Sequence, residues 1–158
     1  MSGVLFRVDE RLIHGQVVVG WGRRLHPDRI VVVSDDLSRQ PVEQDIYRTG
    51  LPASIKAVFW NFSEAVDGLP ALLDSGKSII VLTEDLDTML RLASAAVTIE
   101  EVNVGGLFAG EGRTRLLPYV WFDAEDEERV RELEALGVRV VAQDVPTTAP
   151  VRLRERVG

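Results

Sequence analysis

The sequence predicts an α/β fold: one three-layer domain, residues 1–158, with a mostly parallel central sheet and helices on both faces. Three observations lead there. Short β-branched runs alternate with segments of helical periodicity along the whole chain. Several of those runs are apolar at consecutive positions, as strands covered on both sides are. The length of 158 residues is enough to build such a layered core.

In chain order, the strand-like runs are 4–8, 29–33, 55–60, 78–82, 99–104, 117–122 and 138–142. Each is short and rich in Val, Ile or aromatic residues, the types that fit a pleated, buried surface. Helical patterns fall at 14–25, 38–49, 62–75, 84–95 and 124–136. Asn61 with Glu64 has capping-box spacing, and Asp123 with Asp126 is a weaker version of it. Gly76 and Gly137 stand where two helices should stop. The tail from Thr147 to Gly158 fits either a short terminal helix, with Pro150 near its first turn, or an extended or frayed segment, since Arg152, Arg154 and Arg156 alternate with Val151, Leu153 and Glu155. There is no internal repeat and no low-complexity linker.

Composition narrows the function classes. With no cysteine, the chain has no disulfide, no thiolate nucleophile and no cysteine-ligated metal. No apolar run approaches membrane-spanning length, and Asp9, Glu10 and Arg11 interrupt the N-terminal apolar stretch, so a cytoplasmic protein is expected. The net charge of −7 argues against nucleic acid as a partner. Within residues 1–30, however, five arginines face three acids, giving +2 and leaving −9 for the rest. That segment is expected to surround the site and to meet an acidic or phosphate-bearing surface, unless the arginines are simply solvated.

Parallel α/β sheets bind ligands outside the carboxyl ends of their strands. The rule gathers residues 9–14, 34–37, 61, 83–85 and 105–112 along one edge. In that set Arg7-Val-Asp9-Glu10-Arg11-Leu-Ile-His14-Gly15-Gln16-Val17 stands out, because it packs a histidine, two arginines and two carboxylates between a strand and a helix. A neutral imidazole is nucleophilic and can take up a phosphoryl group. Arg11 would stabilise that anion, Gly15 would allow close approach to the backbone, and Gln16 would add a donor at the helix start. Asp9 could orient Arg11 or fix the imidazole tautomer. The alternative is a histidine that caps a helix among solvated charges. His26, the other histidine, sits beside Pro27 in an ordinary turn.

Other motifs carry less. The glycines at 105, 106, 110 and 112 suit either an anion cradle or a mobile turn, and they match neither Rossmann nor Walker spacing. Asp35-Asp36 could bind a cation, cap a helix or pair with an arginine. No HExxH-type spacing and no G-x-S-x-G elbow occurs, so neither metal catalysis nor serine hydrolysis is supported. Trp21, Trp60 and Trp121 read as packing residues.

The stretch RVDERLIHGQV closely resembles the signature of the IIB component of the mannose/sorbose/fructose (mannose-family) sugar phosphotransferase system. The resemblance continues through Ile30–Asp35, Val102–Gly106, Leu133–Val138 and Val145-Pro146, and so runs along nearly the whole chain. It implies an α/β fold and a histidine phosphocarrier. His14 would accept a phosphoryl group from a IIA component and pass it to a sugar carried by membrane IIC and IID components. It implies Arg11 as the phosphate-stabilising cation and Asp9, Gly15 and Gln16 as loop partners, with loop contacts from Ser34, Asp35, Gly105 and Gly106. It implies no cofactor and no metal, peripheral association with the membrane transporter, and room for a homodimer. The other reading is a IIB-like, phosphorylation-sensing regulator without its own transporter; a nucleotide-binding domain built on the glycine loop is a third. Leu107 stands where the family commonly has methionine, and the following Phe108-Ala-Gly-Glu-Gly112 is the main departure.

Overall fold

The computed structural model describes residues 3–157. Its main sheet has seven strands: β1 (Val4–Asp9), β2 (Arg29–Val33), β3 (Lys56–Trp60), β4 (Ile79–Thr83), β5 (Glu101–Gly106), β8 (Arg139–Ala142) and β9 (Val151–Arg152). Their order is β3-β2-β4-β1-β5-β8-β9, and every pair is parallel except β8–β9. Five helical segments cover the sheet: Gln16–Trp21 running into α1 (Gly22–Leu25), then α2 (Pro41–Thr49), α3 (Phe62–Leu73), α4 (Leu86–Ser94) and α5 (Ala124–Ala135). The fold class expected from the sequence is therefore the one observed.

Strand alternation sorts the core into two layers. Val31, Val33, Ile79, Val81, Val102, Val104, Val140 and Phe6 pack against α3, α4 and α5. Ile30, Val32, Ile80, Leu82, Ala57 and Phe59 face the other way, toward Val17, Trp21 and α2. Both capping boxes form: Asn61 accepts from Glu64 N–H and Asp123 from Asp126 N–H, with the reciprocal bonds in place. Asp85 caps α4 by accepting from Thr88 N–H and Thr88 Oγ1, with no reciprocal bond to its backbone among the described residues. Gly76 and Gly137 adopt φ of 78° and 86°, the left-handed conformation that ends a helix without a Cβ clash.

Several boundaries differ from expectation, each for a local reason. Pro41 starts α2 and cuts off a short 3₁₀ turn at Leu37–Arg39, so the pattern at 38–49 is two pieces. The run at 117–122 is a hairpin arm: β6 (Thr114–Leu117) pairs antiparallel with β7 (Val120–Phe122), apart from the main sheet. Among the described residues the tail forms no helix near Pro150: it is extended as β9 and then closes in a 3₁₀ turn at Leu153–Glu155 whose Leu153 is fully buried. Gly105 and Gly106 belong to β5 and not to a loop.

The helix expected at 14–25 begins as a π-helical turn at Gln16–Trp21 and tightens to α at Gly22–Leu25. π turns carry one residue more per turn and often mark functional sites. The helix ends at His26, which takes φ 47° as a left-handed cap. At that end Leu25 C=O accepts from Ser78 Oγ, which also reaches Gly3 C=O. Arg23, Arg24 and Arg29 thus lie at the amino edge of the sheet. The expectation that residues 1–30 form a basic surround of His14 is overturned: the helix carries its arginines to the opposite edge, and only Arg7 and Arg11 stay.

Candidate functional site

On β1 the alternation that buries Phe6 and Val8 in one layer turns Arg7 and Asp9 toward the other, under Trp21. Both charged residues are fully buried. A buried ion is tolerated only when its polar atoms are partnered, and the neighbouring strands supply partners at matching positions. Arg7 Nη1 donates to Asn103 Oδ1 at 2.6 Å and to Gln143 C=O at 2.8 Å. Its Nη2 donates to Asp144 C=O at 2.9 Å and reaches Asp9 at 3.4 Å. Only its Nε is buried without an acceptor. Burial lowers the Arg7 pKa to about 10, against the pull of Asp9, so the guanidinium stays charged at neutral pH.

The two glycines of β5 explain how this fits. A Cβ on Gly105 would collide with the Arg7 guanidinium, and one on Gly106 would sit 2.8 Å from Asp9 Oδ1 and 3.0 Å from the Phe108 ring. Their role is room for the buried charges, not an anion cradle. The following loop offers little to an outside anion either, because Glu10 Oε1 already accepts Phe108 N–H at 2.6 Å and Arg113 Nη1 at 2.7 Å.

Asp9 organises the loop after β1. Its Oδ1 accepts from Arg11 N–H and Arg11 Nε, both at 3.0 Å, and its Oδ2 from Arg11 Nη2 at 3.0 Å. Oδ2 also meets His14 Nε2 at 2.9 Å. Burial alone would raise this carboxyl; the hydrogen bonds from His14 and Arg11 override it and hold the pKa at about 2. To make these bonds the chain turns sharply, with Leu12 N–H donating to Asp9 C=O and Leu12 itself at φ 58°. A left-handed, buried leucine is costly and persists because the surrounding contacts impose it.

The contacts of His14 assign its tautomer. An ionised carboxylate only accepts, so Nε2 carries the proton it donates to Asp9. Gln16 N–H points at Nδ1 at 3.3 Å, a donor facing a lone pair. Nδ1 therefore carries the lone pair, and it faces the first turn of the helix beside Gly15, where a Cβ would meet open space. His14 is about one-sixth exposed. Arg11 is held on three sides: Asp9 takes Nε and Nη2, Gln16 Oε1 takes Nη2 at 3.0 Å, and the Phe108 ring covers one face at 5.0 Å. Among the described residues no acceptor meets Nη1. The site thus presents a basic nitrogen, a guanidinium edge and helix-start N–H groups together, a set suited to a tetrahedral anion.

Of the residues singled out from sequence, Asp9, Arg11, His14, Gly15 and Gln16 come together. Gln16 differs in detail, since its side-chain carbonyl serves Arg11 and its backbone N–H serves His14. Ser34 and Asp35 do share the sheet edge but bond elsewhere: Ser34 Oγ donates to Glu84 and accepts from Leu37 N–H, and Asp35 caps α3 through Phe62 N–H. Asp36 pairs with Arg39, so the acidic pair is taken up by cap and ion pair. Sequence reasoning counted Arg7 within the motif but gave it no role, and it missed Asn103, Gln143 and Phe108 as parts of the site. A signal for Arg7 and Asn103 was present: each is a polar residue at an inward position of an otherwise apolar strand.

The chain matches the family described as PTS system sorbose subfamily IIB component over residues 3–157. It is 32% identical over 150 residues to the N-acetylgalactosamine-specific phosphotransferase enzyme IIB component 2 of Escherichia coli (strain K12), covering 95% of each chain. It is 28% identical over 154 residues to the mannose-specific EIIAB component of the same strain, covering 98% of this chain and 48% of that one, so it spans about half of that relative. The crystal structure of the IIBSor domain of the Klebsiella pneumoniae sorbose permease superposes with a TM-score of 0.89 at 28% identity, covering 99% of this chain and 96% of that chain.

Proposed function

The chain belongs to the sorbose-subfamily IIB components of the sugar phosphotransferase system, and from that premise we propose that His14 is its phosphoryl carrier. A sugar-specific phosphotransferase component needs a group that accepts and releases phosphate. The observation that carries the reading is the tautomer: Asp9 holds the Nε2 proton and leaves the lone pair on Nδ1, facing the Gln16 N–H, while the same Asp9 and Gln16 hold Arg11.

In the proposed cycle Nδ1 attacks the phosphorus of a phosphorylated IIA component. A new Nδ1–P bond forms as the bond to the donor breaks, and the donor leaves with its electron pair. The ring becomes cationic with its Nε2 proton in place, and the ionised Asp9 offsets that charge. Arg11 Nη1 and the helix-start N–H groups receive the equatorial oxygens. In the second half a sugar hydroxyl attacks phosphorus, the Nδ1–P bond breaks, the hydroxyl proton is released, and neutral imidazole returns. The partners in this reading are IIA, the membrane IIC and IID components and their sugar. The mannose-specific relative, an EIIAB component that this chain matches over about half its length, supports the IIA pairing. No described helix is long and apolar enough to cross a membrane, which fits attachment to separate membrane components. The relatives are named for three different sugars; what they share is phosphoryl transfer.

Transfer of labelled phosphate from a phosphorylated IIA tests the assignment. His14→Ala should abolish acid-labile labelling with an unchanged circular dichroism spectrum, and His26→Ala should label at the normal rate. Normal labelling of the His14 variant would sink the reading.

A further inference from the structure

The loop after β5 is tied to the loop after β1 by a clasp. Glu10 N–H donates to Gly106 C=O at 2.9 Å, and Glu10 Oε1 accepts from Phe108 N–H and Arg113 Nη1. Arg113 Nη1 returns to Phe108 C=O at 2.8 Å, closing a ring of three residues. Leu107 anchors the same loop to the hairpin, its N–H donating to Tyr119 C=O and its C=O accepting from Trp121 N–H. The result is a fixed Phe108 ring, seated where Gly106 has no side chain and lying over the Arg11 guanidinium.

We propose that Phe108, fixed by the Glu10–Arg113 clasp, is a positioning residue for phosphoryl transfer that acts through Arg11. The guanidinium already has Asp9 along one edge and Gln16 at Nη2. Without the ring over its face, that side chain, about one-third exposed, can tilt away from Asp9 and Gln16 and exchange those contacts for water. With the ring in place, Nη1 is the guanidinium nitrogen left to meet an incoming phosphoryl oxygen, since Nε and Nη2 are already bonded. A ring face attracts a cation without taking any of its hydrogen-bond donors, so it restrains Arg11 and leaves its chemistry intact. Preorganising the charge before the transition state is where such restraint raises a rate.

The proposal rests on the assignment of His14 and Arg11 above, and the experiment separates the two. Phosphoramidate serves as the donor, releasing ammonia as its P–N bond breaks. The maximal rate and half-saturating concentration for His14 phosphorylation are measured in the intact chain. Phe108→Leu, which keeps bulk and removes the ring, should lower the maximal rate roughly three- to tenfold, with half-saturation nearly unchanged. Phe108→Tyr should retain most of the rate. Arg113→Met, which opens the clasp from its far end, should fall in the same range as Phe108→Leu. In an Arg11→Ala background both losses should vanish, because the restrained group is gone. A normal rate in Phe108→Leu or Arg113→Met, or an equal loss with and without Arg11, overturns the positioning role while His14 and Arg11 stand. A normal rate in Arg11→Ala alone would remove Arg11 from the reaction, and the clasp with it.

Discussion

Two loops at the same carboxyl edge of the sheet show what makes a site. The loop after β1 and the turn after β2 both follow buried parallel strands, and both carry adjacent carboxylates. After β1, Asp9 is fully buried and bound by Arg11 and His14, with Arg7 behind it. After β2, Asp35 and Asp36 are exposed, and their bonds are a helix cap and one i,i+3 ion pair. A cleft of about 340 Å³ lies between that turn and the Glu84–Thr88 segment, and carboxylates dominate its wall. Burial pushes Glu84 up, toward its neutral form, with Asp85, Asp36 and Glu10 adding to the effect. One loop concentrates opposite charges until an imidazole and a guanidinium are fixed on one carboxylate, while the other spreads like charges into solvent. Sheet position brings both to the edge; convergence of partners distinguishes them.

The largest expected break in that comparison is Gly105→Ala. The added Cβ would occupy the space of the Arg7 guanidinium. Displacing a buried cation from its acceptors should cost about 3–5 kcal/mol, enough to leave a marginal fold. Denaturant unfolding checks it, and a loss below 1 kcal/mol would mean that Arg7 has another place to go.

Arg11→Ala should come next, acting on rate more than on stability. Loss of one preorganised charged donor costs about 2.7–4 kcal/mol of barrier, roughly a hundred- to thousandfold, by analogy with oxyanion-hole deletions. Lysine at this position should rescue only in part, because its donors converge on one nitrogen and lack the planar fork that spans Asp9 and still presents an outward edge. Single-turnover transfer kinetics read this directly.

A smaller effect separates the buried carboxylate from the exposed ones by pH. Asp9 sits at about 2 in the fold against an ordinary 3.8. A depressed folded pKa contributes stability that is fully present above the unfolded value and is lost as pH falls through the folded one. The Asp9 contribution is therefore complete above about pH 4 to 5 and disappears toward pH 2. Its size is about 2 kcal/mol. Urea unfolding of the parent and of Asp9→Asn across this window isolates it: the parent should lose more stability than the variant. Parallel curves would show that Asp9 is not held as the geometry implies.

Much of this was legible in the sequence, and the remainder failed for identifiable reasons. The parallel sheet followed from β-branched runs, the capping boxes from Asn61/Glu64 and Asp123/Asp126, and the cluster of Asp9, Arg11, His14 and Gln16 from eight residues of local spacing. Partners far apart in sequence were not legible: Arg7 meets Asn103 and the carbonyls of residues 143 and 144 only through strand order. Gly105 and Gly106 read as a turn because glycine is rare inside strands, yet the strand needs them there for what lies against them. Charge counted along residues 1–30 could not show that a helix carries part of it away.

That last failure yields the smallest expected effect. Arg23 and Arg24 are exposed near the end of the helix that begins at Gln16. At 1.5 Å per residue they lie roughly 14–15 Å along the chain's helical path from His14, beyond the ~8 Å over which exposed charges act at physiological salt. Neither makes an ion pair among the described residues, so reversing them should unsettle little. Arg23→Glu/Arg24→Glu should change the rate of phosphorylation from IIA by less than about twofold at physiological ionic strength. Low salt lengthens the reach of the field, so a modest slowing there that fades as salt rises is compatible with long-range steering alone. A large loss that persists at high salt would mean that the amino edge of the sheet touches the donor, and that the donor spans both ends of this helix.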